Sequence, residues 1–429
     1  MHQIIDSNMD AAISELTYRR CSEFTFREFK MGDRLFLEKV TSTRKDLDPR
    51  KDFFVSYLSN KLKYENVPTK KLTYVDLFCG GGGMSLGVQN AAKFFGFKPR
   101  LACAVDTDAN ALKIVEHHFK PLLSRVKSVE DILKYTIDLS GHSDQFISSP
   151  QILDNQLAQF KGRIDLLIGG PPCQGHSNLN NKTRRFDPRN LLYLVMPSMA
   201  LALDIPMVVI ENVQTITKAK ENVVEITKRL FQAHGYYVEE KVIDSSLLGV
   251  AQARQRHFLV AKKGTKPNLK KMFDVFKSDA LSFDDVCETL PEIPGEASDL
   301  INKTAKLSDE NNNRINYLHD NNIFDLPNKE RPVCHQHGTS YGSVYGRING
   351  NLPMTTITTG FASPGRGRFV HPRERRCLSI REAGRVQAFP DWYWRGVPNL
   401  GVKRGHLHKV IGDAVPSLVA YPILASLII

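Results

Sequence analysis

Alternation of strands and helices from Leu72 to Lys262 constrains this chain more than any other feature of its sequence. Short apolar runs, Leu72–Phe78, Leu101–Val105, Ile164–Ile168, Met207–Ile210, Tyr236–Ile243 and His257–Ala261, alternate with helical stretches such as Met84–Phe95, Ala109–Phe119, Leu191–Leu203 and Glu221–His234. Runs that are apolar throughout belong to strands covered on both faces. The pattern predicts an α/β fold, a mainly parallel sheet with helices on both sides. Ligands bind such sheets at the carboxyl ends of the strands, so the residues just past each strand are the candidates for chemistry.

The first strand runs into Cys79 and the glycine turn Gly80–Gly83, and the second ends in Asp106. The glycines let a cofactor approach the backbone, and the acid can accept both hydroxyls of a ribose. This points to an adenosine cofactor without separating NAD from S-adenosylmethionine. Asp131 ends a further short segment. The Ile164–Ile168 run leads into Gly169-Gly170-Pro171-Pro172-Cys173-Gln174-Gly175. Two prolines force an extended turn, which holds Cys173 as a nucleophile would be held. The bland alternative is a small apolar residue in a tight turn, because thiol reactivity depends on surroundings. The next strand ends in Glu211-Asn212-Val213, and Gln252, Arg254 and Arg256 share one face at strand spacing. A thiolate, a carboxylic acid and a cation around one pocket suit attack on an electron-poor ring such as cytosine. Thiolate addition at carbon 6 makes carbon 5 nucleophilic. A protonated Glu211 at ring nitrogen 3 and an arginine at the ring carbonyl would stabilise the developing charge.

A formal charge of +12 points to an anionic partner, nucleic acid first. The length fits two or three domains. Regular patterning stops after Lys263. From Arg331 through Arg376 the chain carries seven arginines and one acid, Glu374, with Arg347, Arg366 and Arg368 among glycines. Such a stretch can follow phosphates and reach base edges, or be a solvated basic loop. Seven cysteines without a C-x-x-C pair argue for a reducing compartment and against a zinc site, and Cys334-His335-Gln336-His337 lacks a second ligand pair. No metal is expected. No membrane is expected either: Met1–Ser14 carries two Asp, and the apolar Ala414–Ile429, with Pro416 and Pro422, is too short to span. Residues 1–71 read as three short helices: Met9–Cys21, Phe24–Phe29 with a Thr cap, and Phe53–Leu58. They are expected to form either a helical DNA-reading module or a helical extension packed on the main domain. Ser379–Ala388 is a helix with a capping box through Glu382.

Taken in order, Asp76-Leu77-Phe78-Cys79-Gly80-Gly81-Gly82-Gly83, Gly170-Pro171-Pro172-Cys173-Gln174-Gly175, Glu211-Asn212-Val213, Gln252-x-Arg254-x-Arg256, Arg381–Asp391 and Gly412-Asp413-Ala414-Val415-Pro416 resemble the motif set of the DNA (cytosine-5)-methyltransferases of bacterial and phage type. The resemblance covers roughly Leu72 to Ile429. It implies a Rossmann-like S-adenosylmethionine-dependent methyltransferase domain (72–263, completed by 373–429) and a smaller irregular target recognition domain (264–372), with 1–71 as an extension. It implies S-adenosylmethionine as cofactor, held by Phe78, Gly80, Gly82, Asp106, Asp131, Pro172, Leu192, Asp413 and Val415. Cys173 becomes the nucleophile, Glu211 the acid, Arg256 a contact to cytosine and Arg254 a support for the loop or a phosphate. Double-stranded DNA is the substrate, the target base is flipped out, and Gln174, Ser177, Arg347, Thr356, Ile357, Arg366 and Arg368 face the DNA. The same resemblance implies either a cognate restriction endonuclease beside it or an orphan role in epigenetic methylation, and a place beside the nucleoid, in the cytoplasm of a bacterial or phage-infected cell. Asp413, Asp106, Thr107 and His176 depart from the family's usual residues without removing a reacting group. A tRNA cytosine-5 methyltransferase and a catalytically silent DNA-binding regulator remain open alternatives.

Overall fold

The structure, a computed structural model, describes residues 14–138, 145–172, 188–288, 290, 298–337 and 343–429. Its first element corrects the helical reading of the N-terminal segment. Ser14–Cys21 (β1), Phe24–Met31 (β2) and Arg34–Thr41 (β3) form an antiparallel meander, completed at one edge by Lys63–Tyr64 (β4). Only the third expected helix exists, as Pro49–Ser59, with Asp48 capping its N-terminus. The alternation was obscured because inward positions of β2 include Thr25 and Arg27 as well as Phe29 and Met31. Arg27 lies directly opposite Glu38 of β3 and donates to its carboxylate through Nε at 2.7 Å. The Arg27 guanidinium also stacks 3.9 Å over the ring of Tyr421, whose hydroxyl donates to Glu38 at 3.2 Å. Phe29 and Phe36 pack with Phe95 and Phe276 and with Phe94 and Phe95 respectively. The meander is therefore part of the main core.

The central sheet is built as its sequence predicts. Lys70–Leu77 (β5), Phe97–Asp106 (β6) and Leu123–Val126 (β7) come first, and a small antiparallel pair, Leu133–Ile137 (β8) and Phe146–Ile152 (β9), follows. Leu166–Gly169 (β10), Met207–Val213 (β11) and Tyr236–Asp244 (β12) lead to the two-residue Gln252–Ala253 (β13) and then to Gln255–Lys263 (β14). The spatial order is β12-β14-β11-β10-β5-β6-β7. Strands β11, β10, β5, β6 and β7 pair in parallel, and β14 runs antiparallel between β11 and β12. Side chains alternate between two cores. Leu166, Ile168, Val209 and Phe258 face one, and Leu167, Val208, Ile210 and Leu259 the other. Each such fully buried side chain contributes about 1.5–3 kcal/mol. The C-terminal apolar stretch is the core helix Ala420–Ile428.

Within 264–372, the helices Leu269–Phe276 and Phe283–Cys287 bury Phe273, Phe276 and Phe283 in the main core. A separate small core gathers Ile315, Leu318, Leu326, Val344, Tyr345, Val370 and Cys377. Met354–Thr355 (β15) pairs in parallel with β13, tying the irregular region back to the sheet. The helix Ile380–Val386 returns with its capping box intact, and its Arg381 and Arg385 both donate to buried Asp391, each through Nη2 at 2.6 Å. These two guanidinium groups hold the Asp391 carboxyl below the usual range despite its burial. Replacing Asp391 with alanine removes the carboxylate that two buried guanidinium groups share. It is expected to lower the stability by about 3–5 kcal/mol, read as a fall in the urea midpoint.

Candidate active site

The parallel register sets the site. Leu77 of β5 pairs with Gly169 of β10 and with Val105 of β6, and Gly169 pairs with Ile210 of β11. Phe78, Asp106, Gly170 and Glu211, each one residue further on, thus form a row along the carboxyl edge of the sheet. Val213 lies opposite Arg256 of the antiparallel β14, which brings that arginine's side chain back to Glu211. The row straddles the point where the chain leaves β5 to one side for β6 and later to the other for β10, the usual ligand crevice of such sheets.

On the β5–β6 side the glycine turn and Asp106 interlock. The Gly80 backbone N–H donates to Asp106 Oδ2 at 2.8 Å, and Asp108 N–H donates to Oδ1 at 2.8 Å. Each carboxylate oxygen keeps capacity for a further donor. Gly80 has φ +49° and open space where a side chain would start. The other three glycines are small for packing reasons: a Cβ would strike Val410 at Gly81, Phe119 at Gly82, and the Val415 carbonyl at Gly83. A backbone bordering open space, with a fixed carboxylate beside it, fits the ribose and tail of an adenosine cofactor. Among the other expected cofactor residues, Phe78, Pro172 and Leu192 are half-buried, Val415 is buried, and Asp131 is exposed at the end of the turn Val129–Asp131. Asp413 is exposed and paired with Lys409 at 3.1 Å.

On the β10–β11 side, Glu211 is 9% exposed, with Oε1 3.1 Å from Arg256 Nε. A Cβ at Gly170 would stand 3.1 Å from Oε2, so the glycine leaves room for this carboxyl. Burial pushes the Glu211 carboxyl up, and Arg256 and then Arg254 pull it back without cancelling the rise. Asn212 Nδ2 donates to the Pro171 carbonyl at 3.1 Å, clamping the strand end to the loop that runs into Cys173. Cys173, Gln174 and Ser177 lie outside the described residues. In the sequence Asn212 is only the middle of the Glu211-Asn212-Val213 motif, and its role shows only once β10 and β11 are neighbours.

The two arginines of the β13–β14 segment part company. Arg256 reaches Glu211, whereas Arg254 is buried and donates to the carbonyls of Ile357 and Gly412, both at 3.0 Å. Ile357 is fully buried, and Thr356 donates to the Ala253 carbonyl at 3.0 Å. Of the recognition-region arginines, Arg347 is buried, donates to Asn322 Oδ1 at 2.8 Å and lies 5.0 Å over Phe324. Arg368 pairs with Asp325 at 2.5 Å and donates to the carbonyls of Phe324 and Arg347. Both are engaged inside the region, while Arg366 is exposed. His371, Glu374 and Glu382 cluster closely. The His371 Nδ1 accepts from the backbone N–H groups of Arg373 and Glu374 at 3.2 and 2.9 Å, which leaves the proton of the neutral ring on Nε2. Arg376 binds both carboxylates. The cluster is thus an ion network in which Nε2 offers no lone pair to a metal.

The family model for "C-5 cytosine-specific DNA methylase" matches residues 72–428, and the chain belongs to that family, which makes it a DNA (cytosine-5) methyltransferase. It is 37% identical over 390 residues to the Type II methyltransferase M1.BsuMI of Bacillus subtilis (strain 168), covering 89% of this chain and 87% of that one. It is 27% identical over 390 residues to the Type II methyltransferase M.DdeI of Desulfomicrobium norvegicum, covering 81% and 86%. Two solved structures share the fold. A DNA modification methyltransferase encoded within an E. coli prophage gives a TM-score of 0.53 at 23% identity, over 83% of this chain and 98% of that one. The S. pombe Dnmt2 methyltransferase gives 0.52 at 16% identity, over 83% and 97%.

Proposed function

We propose that this enzyme methylates carbon 5 of a flipped-out cytosine within one short duplex DNA sequence, with Cys173 as nucleophile and Glu211 as acid. The observation that carries this reading is the pairing of buried Glu211 with half-buried Arg256 beside Gly170, two strands from the Gly80–Asp106 cradle. S-adenosylmethionine, when bound by Phe78, Gly80, Gly82, Asp106, Asp131, Pro172, Leu192, Asp413 and Val415, supplies an electrophilic methyl group. The Cys173 thiolate forms a bond to carbon 6 of the ring, and the electron pair displaced from the 5,6 double bond becomes available at carbon 5. Glu211, whose burial favours the neutral acid, holds its proton toward ring nitrogen 3 as negative charge grows there. Arg256 keeps the carboxyl in place, and in this reading it also contacts the ring. Once carbon 5 carries the methyl group, with S-adenosylhomocysteine as the leaving product, release of the carbon 5 proton to a water base and departure of the Cys173 thiolate restore the aromatic ring. Residues 72–263 and 373–429 form the catalytic part in this reading, and 264–372 the recognition part.

The Type II methyltransferase names of the relatives support a role beside a restriction endonuclease of matching sequence, working on chromosomal DNA in the cytoplasm. Expression in a host lacking cytosine methylation, followed by bisulfite sequencing, tests the whole reading. One motif protected throughout the genome is expected. Soluble protein that binds S-adenosylmethionine and protects no motif would overturn a DNA substrate and favour an RNA one. Among the recognition residues, Thr356 and Ile357 stand beside β13, and Arg366 is an exposed cation. Replacing Arg366 with alanine is expected to weaken specific DNA binding by about 1–3 kcal/mol and to relax protection at one position of the motif. Unchanged affinity and motif would remove it from the interface.

A further inference from the structure

The recognition region and the cofactor cradle are joined by a chain of buried amide groups. The Ile357 backbone N–H donates to Gln252 Oε1 at 2.7 Å. Gln252 Nε2 donates to Gln387 Oε1 at 2.8 Å. Gln387 Nε2 donates in turn to the Ile411 carbonyl at 2.7 Å, with the Ala414 carbonyl at 3.4 Å. Both glutamines are fully buried. Arg254 closes the circuit by donating to Ile357 and Gly412. At the far end, Ala414 and Val415 press on Gly83 and Val410 on Gly81, so the segment gripped by Gln387 forms the wall behind the cofactor turn. At the near end, the backbone of Thr358–Thr359 lies against Gly412 so closely that any side chain there would collide with it.

Two features make this more than ordinary packing. The row is continuous and fully buried, each side-chain amide oxygen accepts from the group before it, and Gln387 Nε2 spans the Ile411 and Ala414 carbonyls, so a shift of Ile357 is passed along it. The row also begins at Ile357, beside the Thr356 that pairs back to β13, and ends at the backbone flanking Val415. We propose that Gln252 and Gln387 are positioning residues that couple the target recognition segment to the cofactor wall, so that cofactor and specific DNA each tighten the binding of the other. The coupling is reciprocal by linkage. It is carried by the amide row, which passes an altered position of the 411–415 backbone to Ile357 and back. The proposal rests on the methyltransferase reading above, because the two ligands it couples are those of that reaction.

The test uses S-adenosylhomocysteine, which binds without reacting, and a duplex oligonucleotide carrying the sequence found by bisulfite mapping. Without such a sequence the functional reading itself fails, a result separate from any that follows. For the wild-type protein, saturating S-adenosylhomocysteine is expected to tighten DNA binding at least about fivefold. In Gln252→Leu and Gln387→Leu, that ratio is expected to fall to one while each ligand alone still binds, and the double variant should fall no further. A merely structural role would lower thermal stability and both affinities but leave the ratio intact, which would overturn the proposal. So would a wild-type ratio of one. If the leucine variants do not fold, wild-type hydrogen exchange decides. S-adenosylhomocysteine alone, without DNA, is expected to slow exchange at the Ile357 amide, and an unchanged rate there overturns the coupling.

Discussion

Cys173→Ala is expected to abolish methyl transfer and to leave specific DNA binding in place. Among the described residues at the Gly170 loop, Glu211 is occupied with Arg256 and Asn212 with the Pro171 carbonyl, and neither offers a thiol. Carbon 5 of cytosine is too weak a nucleophile without addition at carbon 6. The loss should therefore resemble that of other covalent nucleophiles, about 10⁶-fold in kcat. The anchors that hold the loop, Asn212 to Pro171 and the space at Gly170, do not involve the thiol. Binding of a duplex with the mapped sequence should persist, measured by titration with a labelled oligonucleotide. Transfer at the wild-type rate would end the covalent mechanism.

The second large effect is expected at Glu211. Glu211→Gln keeps the shape and can still touch ring nitrogen 3, but it has no acidic proton to give. A fall of about 10²–10⁴-fold in kcat is expected. The pH dependence separates this from a loss of fit. Burial raises the folded-state pKa of Glu211, so the acid is protonated below that raised value and loses its proton as pH climbs through it. Turnover of the wild-type enzyme should therefore decline on the alkaline side of that pKa. The decline should be missing from the Glu211→Gln protein. A falling limb of equal position in both would assign it to another group.

Much of the fold was legible because the parallel strands are unbroken apolar runs. Leu166–Gly169 is buried on every residue, and glycine or proline follows at once. The site motifs were legible for a related reason, since Asp106 and Glu211 stand in the last residues of their strands and the Cys173 motif begins as β10 ends. Polar groups that meet only in three dimensions were not legible. Arg27 and Glu38 face inward across a strand pair, so β2 lost its apolar alternation and read as a helix, although Gly32-Asp33 stood where a hairpin needs it. Arg347 and Arg368 looked like phosphate contacts until Asn322, Phe324 and Asp325 closed around them. Gln252 and Gln387 are 135 residues apart, and nothing in either neighbourhood announces the other.

The stacking of Arg27 on Tyr421 has a consequence for biosynthesis. Glu38 leaves the ribosome 383 residues before the tyrosine hydroxyl that it accepts from, and until then the inner face of the N-terminal meander has lost one of its main covers. Phe276, which packs on Phe29, arrives earlier but still long after the strands are made. The nascent chain must carry Phe29 and a charged Arg27–Glu38 pair partly uncovered through most of translation. Chains truncated ahead of Ala420 are left in that condition permanently, and are expected to be substrates for chaperones and proteases rather than shortened enzymes.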